Sequence, residues 1–523
     1  IAMARLILPG DISLQVPPNL NSDNLKQLSQ SGINDFGGIS PVTKDYVNPE
    51  APWPEIEKLN KIASISNQSL VSRSTLYPKY FTNLDSFSTP RISSKLLQIT
   101  DSKSLIRSDF WRSGISNKIP SYPEAVFNSS IRQSIDKVEK NPSIENIQQL
   151  LETSDADFKY VADYANDVKS QMHGSDITFV VNRNINYTNI CSFKCNFCAF
   201  SKGRGHDDLR GKPYNISHEE IIRRTKEAVE RGATEVCLQG GIHPKYSGET
   251  YLEIVRAIRS CSPSIHIHAF SPLEIDHGRK TLNISAKEFL LELKKEGLNS
   301  LPGTAAEILH DDIREIICPD KLTTKQWIQI IETAHSVGLP TTSTMMFGHI
   351  ERTAHVAHHL LELLNLQKRT NGITEFVPLP FVADEAPIYR RGKARPGPTF
   401  KETILVHSVA RILFQGQINN IQGSWVKMGL PGLKFLLSSG INDIGGVLMN
   451  ESITRSAGAS FGQELRLEDV LGIANELNLN IQQRNTLYDS LDNNLHDLIN
   501  LQSIPLISIN NDYHQPKKLI NIT

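Results

Sequence analysis

From about residue 177 onward the chain alternates between short, β-rich apolar runs and longer helical stretches with readable ends. This alternation constrains the fold more than any other feature. The apolar runs lie at 177–185, 235–238, 265–270, 341–347, 375–379, 419–421 and 444–448, with a further short one near 300–301. Helices between them open on Ser217…Glu220, Ser285…Glu288 and Thr323…Gln326, and close on Gly232, Gly297 and Gly338. In such a box the hydroxyl satisfies an early amide and the Glu or Gln reaches back to the cap, while the glycine adopts the left-handed exit. Alternating β and α units argue for a parallel sheet. About eight strands over ~310 residues predict a (β/α)8 barrel. An open doubly wound sheet is the alternative, but no G-x-G-x-x-G follows the first strand.

A repeat sets the domain organisation. Residues 31–39 read SGINDFGGI and residues 439–447 read SGINDIGGV, with seven of nine positions identical. The match extends to ARLIL at 4–8 against ARILF at 410–414, and to Arg73…Leu76-Tyr77 against Arg484…Leu487-Tyr488. A recurring Gly-Gly turn explains the glycines but not these flanks. Residues 1–90 are therefore expected to be the C-terminal part of a second, homologous barrel. Residues 91–142, rich in Ser, Ile, Lys and Asn, read as a connector with a short helix near 129–138. Residues 143–490 read as one complete barrel with a helical extension over 143–172, and 491–523 as a tail. The chain opens IAMARLIL without an initiating methionine, and a second cysteine loop is expected to be encoded upstream of Ile1.

A formal net charge of −1 with 21% charged residues gives no support for a nucleic-acid or membrane-surface partner. No apolar run is long enough to span a bilayer and no signal peptide is present. A cytoplasmic protein is expected, any targeting segment lying upstream of these residues. Six cysteines in a chain this long point to metal or buried thiols, not a disulfide scaffold. Three of them, Cys191, Cys195 and Cys198, form C-x3-C-x2-C directly after the first strand, where a barrel carries its chemistry. A cubane [4Fe–4S] cluster normally takes four cysteines, so three leave one iron open for a substrate or cofactor. The alternative is structural zinc with His206 as fourth ligand, although zinc sites favour two separated ligand pairs.

Further candidates follow the other strands. Asn182, Asn184 and Asn186 share one face of strand 1, as a row of amides for a polar ligand or as caps for the loop. Gly240 and Gly241 follow strand 2 and let a ligand approach the backbone. His266, His268 and Phe270 share a face of strand 3, with Ser271 and Glu274 at its exit; no third ligand makes the histidines a metal site. Glu307 follows strand 4. Gln422, Trp425 and Lys427 follow strand 7, and Asp443, Gly445, Gly446, Asn450 and Glu451 surround strand 8; these suit a polar aromatic substrate. Cys237, Cys261 and Cys318 read as structural.

The cysteine loop, with Phe197 before its last cysteine, resembles that of the radical S-adenosylmethionine (SAM) enzymes. NRNINYTNICSFKCNFCAF, LQGGIHP, HIHAFSPLEI, PGTAAEIL, NIQGSWVKMG and INDIGGVLMNESI resemble the tyrosine-using half of the FO synthase family of the deazaflavin (coenzyme F420) pathway. QVPPNL and GINDFGGISPVTKDYVNPEAPWP, in residues 1–90, resemble the C-terminal part of its ring-closing half. The resemblance implies a [4Fe–4S] cluster on Cys191, Cys195 and Cys198. It also implies SAM near Asn186, Phe197, Gly240, Gly241 and Glu307, with His268 and Glu274 as catalytic candidates. It implies L-tyrosine and 5-amino-6-(D-ribitylamino)uracil as substrates, an external electron donor, and transfer of a 4-hydroxybenzyl group without completion of FO. Rival readings are an enzyme of futalosine-type menaquinone synthesis, a zinc-stabilised binding protein and a decayed pseudoenzyme.

Overall fold

A computed structural model of the chain describes residues 1–66, 68–124, 129–202 and 212–509. They fall into two compact units, Ile1–Thr75 and Leu76–Thr523. The candidate ligand His206 and the end of the tail lie outside the described residues.

The second unit carries the strands β1 (Asp176–Val180), β2 (Asn182–Asn186), β3 (Glu235–Gln239), β4 (His266–Ala269), β5 (Thr341–Phe347), β6 (Ile373–Pro380), β7 (Asp443–Gly446) and β8 (Asn480–Gln483). Pairing is parallel for β2–β3, β3–β4, β5–β6 and β7–β1. Single bridges supply the remaining steps: His268 to Ser300, Leu301 to Thr341, Phe376 to Ile421 and Gln422 to Asp443. With β1 and β2 counted as one strand, the pairing closes into a ring of eight positions. The fold is a (β/α)8 barrel.

Three details depart from the sequence reading. The expected strand 177–185 breaks at Val181. Its first half, β1, lies between β7 and β8, while its second half, β2, pairs with β3. The strand β8, four residues whose Asn480 is exposed, was not expected, because so short and polar a run has no alternation to reveal it. Strands 4 and 7 shrink to bridges. Pro302 follows Leu301 directly and has no amide to extend the ladder.

The capping boxes at Ser285/Glu288 and Thr323/Gln326 are complete. At Ser217 only half forms: Ser217 accepts from the Glu220 amide, but the Glu220 carboxylate turns to Arg223 and Arg224 at 2.7 and 2.8 Å. Two guanidinium partners outweigh one neutral amide. Residues 101–122 hold the loops at the C-terminal ends of the strands. Arg107 donates to the Gly397 carbonyl (2.7 Å), Arg112 pairs with Asp384, and the Gly114 amide donates to the Lys427 carbonyl (2.6 Å). Among the described residues no helix is long and apolar enough to cross a membrane.

The sequence repeat is also a repeat of hydrogen bonds. In the first unit Gln15 bridges to Asp35, Asp35 accepts from the Gly37 amide (2.7 Å), and Arg73 Nε binds Asp35 (2.9 Å). Arg5 donates to the Gly32 carbonyl and to Asn34 Oδ1, which also accepts from the Leu14 amide. In the second unit Gln422, Asp443, Gly445 and Arg484 make the first set of bonds, and Arg411, Gly440, Asn442 and Ile421 the second.

The Arg484–Asp443 pair is 2.6 Å long with side chains 3% and 0% exposed. Arg484→Ala leaves Asp443 and Glu375 buried without a cation and is expected to destabilise the barrel by about 3–5 kcal/mol in urea unfolding. Arg73→Ala, where the arginine is 23% exposed, is expected to cost the first unit much less. Equal effects would contradict this.

Candidate active site

The cysteine loop leaves β2 and is pinned on three sides. The Lys202 amide donates to the Asn189 carbonyl (2.8 Å), the Gly241 amide to Thr188 (2.8 Å), and the Asn196 amide to Ile317 (2.8 Å). The thiols of Cys191, Cys195 and Cys198 face a cavity of about 280 Å³, the outer one of two, together with Phe197, Gly240, Gly241, Glu274, Glu307 and Lys321. Two sulfurs accept backbone amides: Cys191 from Ile242 and Cys198 from Ser201, both at 3.3 Å. Burial pushes the Cys195 thiol up to about 12, with the Lys321 ammonium pulling the other way. Burial likewise raises Cys198, opposed by the Ser201 amide. Thiolates here need a cation to hold them. Among the described residues no three His, Cys, Asp or Glu side chains are grouped around a single metal-ion position, and His206 lies outside those residues. A cubane differs, because its thiolates end on separate irons. The donor set fits that group.

Gly240 and Gly241 form the turn after β3 against this loop. A Cβ on Gly240 would overlap the Tyr187 ring, and one on Gly241 would overlap the Ile190 carbonyl. Glu274 fixes the turn from the other side. It accepts from the Gly240 amide (3.2 Å), from the Ser271 amide (2.7 Å) and hydroxyl (2.5 Å), and from the Tyr187 hydroxyl. Burial raises its pKa, and these donors oppose the shift. Glu307 sits in the left-handed region (φ 48°) and pairs with Lys321 at 2.8 Å. The Lys321 ammonium also lies over the Phe197 ring, 5.2 Å from its centre.

A second cavity of about 250 Å³ lies inside the barrel and is lined by Asn182, Asn184, Glu235, Cys237, His268, Glu375, Gln422, Lys427, Glu451 and Arg484 among others. The two cavities share Gln239, Thr304, Thr344, Leu379, Lys427, Ile453 and Thr454 as a common neck. The inner wall is a polar network. Asn182 and Thr486 donate to Glu235 (2.9 and 2.7 Å), and His266 and His268 share the Ser300 hydroxyl (2.6 and 2.7 Å). Arg484 spans Asp443 and Glu375. Burial pushes Glu375 up to about 7 against the pull of Arg484. Burial also lowers His268, against Glu235, which leaves a neutral imidazole. The amide oxygen of Asn184 is buried and without a partner.

Of the residues singled out from sequence, the three cysteines, Phe197, Gly240, Gly241, Glu274 and Glu307 meet at the outer cavity, and His268 faces the inner one. Asn186 does not join them: it is buried with its amide on Ser452 (2.9 Å) and lines neither cavity. Asp443 serves Arg484, and Asn450 accepts from Arg183 (2.5 Å). Sequence reasoning missed Tyr187, Lys321 and Glu375, none of which sits in a spacing that marks it. Arg484 had a signal in its pairing with Arg73 across the repeat.

The family model described as the radical SAM superfamily matches residues 185–364, and one described as the CofH/MqnC C-terminal region matches 370–496. FO synthase of Mycobacterium leprae is 37% identical over 538 residues, covering 93% of this chain and 62% of that protein. The 5-amino-6-(D-ribitylamino)uracil–L-tyrosine 4-hydroxyphenyl transferase of Methanothermobacter thermautotrophicus is 45% identical over 325 residues, 62% of this chain and 88% of that enzyme. The chain thus spans about 62% of the length of the FO synthase it matches. Among solved structures, methylornithine synthase (PylB) aligns with a TM-score of 0.52 at 16% identity, over 70% of this chain and 99% of that one. The maturase HydG from Carboxydothermus hydrogenoformans aligns with 0.52 at 15%, over 69% and 81%. Both are likenesses of fold.

Gly241→Ala is expected to force the Cys191 segment off the turn, costing about 1–3 kcal/mol and lowering the iron retained after anaerobic reconstitution. Gly472→Ala, inside the helix Leu467–Glu476 with nothing within 4 Å of the added carbon, is expected to gain about 0.5–1 kcal/mol. Thermal unfolding and iron analysis check both; wild-type behaviour of Gly241→Ala would show that the close approach is dispensable.

Proposed function

Since the chain belongs to the radical SAM superfamily and, within it, to the FO synthase family, we propose that its barrel joins the 4-hydroxybenzyl part of L-tyrosine to 5-amino-6-(D-ribitylamino)uracil. The cofactors are a [4Fe–4S] cluster and SAM, as the family requires. The observation that carries the reading is the similarity to the 4-hydroxyphenyl transferase across 88% of that enzyme. Two joined cavities support it: a largely apolar one at the cysteines, and an inner one whose carboxylate, amide and imidazole side chains suit a ribityl-bearing uracil.

Cys191, Cys195 and Cys198 would hold the cluster, with the Ile242 and Ser201 amides on two sulfurs and Lys321 near the third. When bound, the cluster and SAM would supply, with an electron from an external donor, hydrogen-abstracting radical chemistry. Gly240 and Gly241 would let the methionine end of SAM approach the backbone, and Glu274 keeps that turn in place. Phe197, Lys321 and Glu307 form the opposite wall. In the inner cavity carboxylates, amides and the imidazole of His268 offer both donors and acceptors, which suits a polyol. His268, with Nδ1 on Ser300, leaves Nε2 to accept a proton from the uracil as the new carbon–carbon bond forms. Residues 1–90 are assigned to the last part of a second barrel, on the strength of the shared Gln–Asp–Gly–Arg hydrogen bonds, with 91–142 linking it to the barrel of 143–490 and 491–523 as a tail.

Protein reconstituted with iron and sulfide, then given SAM, a reductant, tyrosine and 5-amino-6-(D-ribitylamino)uracil, is expected to form 5′-deoxyadenosine and a hydroxybenzyl–diaminouracil adduct by mass spectrometry. Cys195→Ala is expected to abolish both. Deoxyadenosine without adduct would overturn the substrate pair, and zinc in place of iron would overturn the reading from its first step.

A further inference from the structure

Three basic side chains line the two cavities among the described residues: Lys321, Arg484 and Lys427. The first two are spoken for. Lys321 is paired with Glu307 at 2.8 Å. Arg484 is paired with Asp443 at 2.6 Å and with Glu375 at 3.2 Å. Among the described residues Lys427 has no partner within ion-pair distance. Its Nζ reaches only the Thr454 hydroxyl, at 3.5 Å. It is also the one basic residue that lines both cavities.

The position is held firmly. The Lys427 amide donates to Ser424 (3.0 Å) and its carbonyl accepts from Gly114 (2.6 Å), in the segment that precedes the barrel. Glu451 faces the same inner cavity and attracts Lys427 from a distance without an ion-pair contact; its carboxylate accepts from the Thr454 amide at 2.7 Å. Burial pulls Lys427 down to about 8 against the attraction of Glu451, so the ammonium form still prevails at neutral pH. A half-buried ammonium that feels one carboxylate at a distance, with none in ion-pair contact among the described residues, is stabilised further by an anionic ligand group that reaches the neck between the cavities.

Of the two proposed substrates, the ribitylaminouracil is neutral and suits the paired network of the inner cavity. The amino acid carries a carboxylate. We infer that Lys427 anchors the α-carboxylate of the amino-acid substrate at the neck, so that its side chain and the uracil meet between the outer and inner cavities. The inference rests on the transferase reading and deepens it by naming the group that orients the amino acid.

The test is equilibrium binding to reconstituted holoprotein, with and without SAM, of tyrosine, of tyramine (no carboxylate) and of 3-(4-hydroxyphenyl)propionate (no amine). Lys427→Met is expected to weaken tyrosine and the propionate tenfold or more while leaving tyramine unchanged, because only a charge-assisted contact is removed. Lys427→Arg is expected to recover most of the loss. Iron content and SAM affinity should match wild type in both variants, which separates a lost anchor from a misfolded site. Unchanged tyrosine binding in Lys427→Met overturns the anchor and leaves the transferase reading standing. A selective loss of SAM affinity overturns it as well, by placing Lys427 on the methionine carboxylate. If wild type ignores tyrosine but binds another aromatic amino acid in a Lys427-dependent way, the anchor stands and the tyrosine assignment falls. If no amino acid binds, the anchor falls too.

Discussion

The barrel closes over a buried carboxylate. Asp443 lies in the last strand of the ring with no exposure, and Arg484, brought in just past β8, holds it at 2.6 Å while reaching on to Glu375 in β6. A carboxylate in that place is untenable without its cation, so β7, the end of β8 and β6 are locked to one another through three side chains. The same requirement explains why the motif is preserved twice. In the first unit Asp35 and Arg73 repeat the pair, with Gly37 and Gln15 in the places of Gly445 and Gln422. A turn that must bury an aspartate has to carry its arginine with it.

That network also forms part of the wall of the inner cavity, and the rest of the site is layered above it. Polarity falls from the inner cavity, with its carboxylates, amides and His268, to the outer one beside the cysteines. Two glycines make the transition possible, since any side chain on Gly240 or Gly241 would displace Tyr187 or the cysteine segment. Glu274 then ties the glycine turn to the exit of β4 with four accepted hydrogen bonds. It is a rigid frame, suited to holding a large cofactor against a metal centre without relying on mobile side chains.

Burial sets the electrostatics throughout. It raises the thiols of Cys195 and Cys198 and the carboxyl of Glu274, and it lowers His268 and Lys427. Each shift disfavours the charged form. Where a charge persists it has a partner, as in Lys321–Glu307 and Arg484–Asp443. The cysteines and Lys427 make no ion pair among the described residues.

What the sequence by itself determined is everything carried by local spacing: the alternation of strands and capped helices, the three cysteines, the paired glycines, and the repeat that links Arg484 to Arg73. Those signals are legible because capping, tight turns and ligation each need particular residues a few positions apart. Tertiary structure alone decided the rest. It split the first strand at Val181, added β8, and reduced strands 4 and 7 to bridges. It laid residues 101–122 over the loops of the barrel, brought Lys321 to Glu307, and sent Asn186 to Ser452 instead of the cavity. It also left Lys427, among the described residues, without an ion pair at the neck. Each of these depends on groups far apart in the chain meeting in a closed ring, and which charge finds a partner there follows from packing and burial, not from any pattern along the sequence.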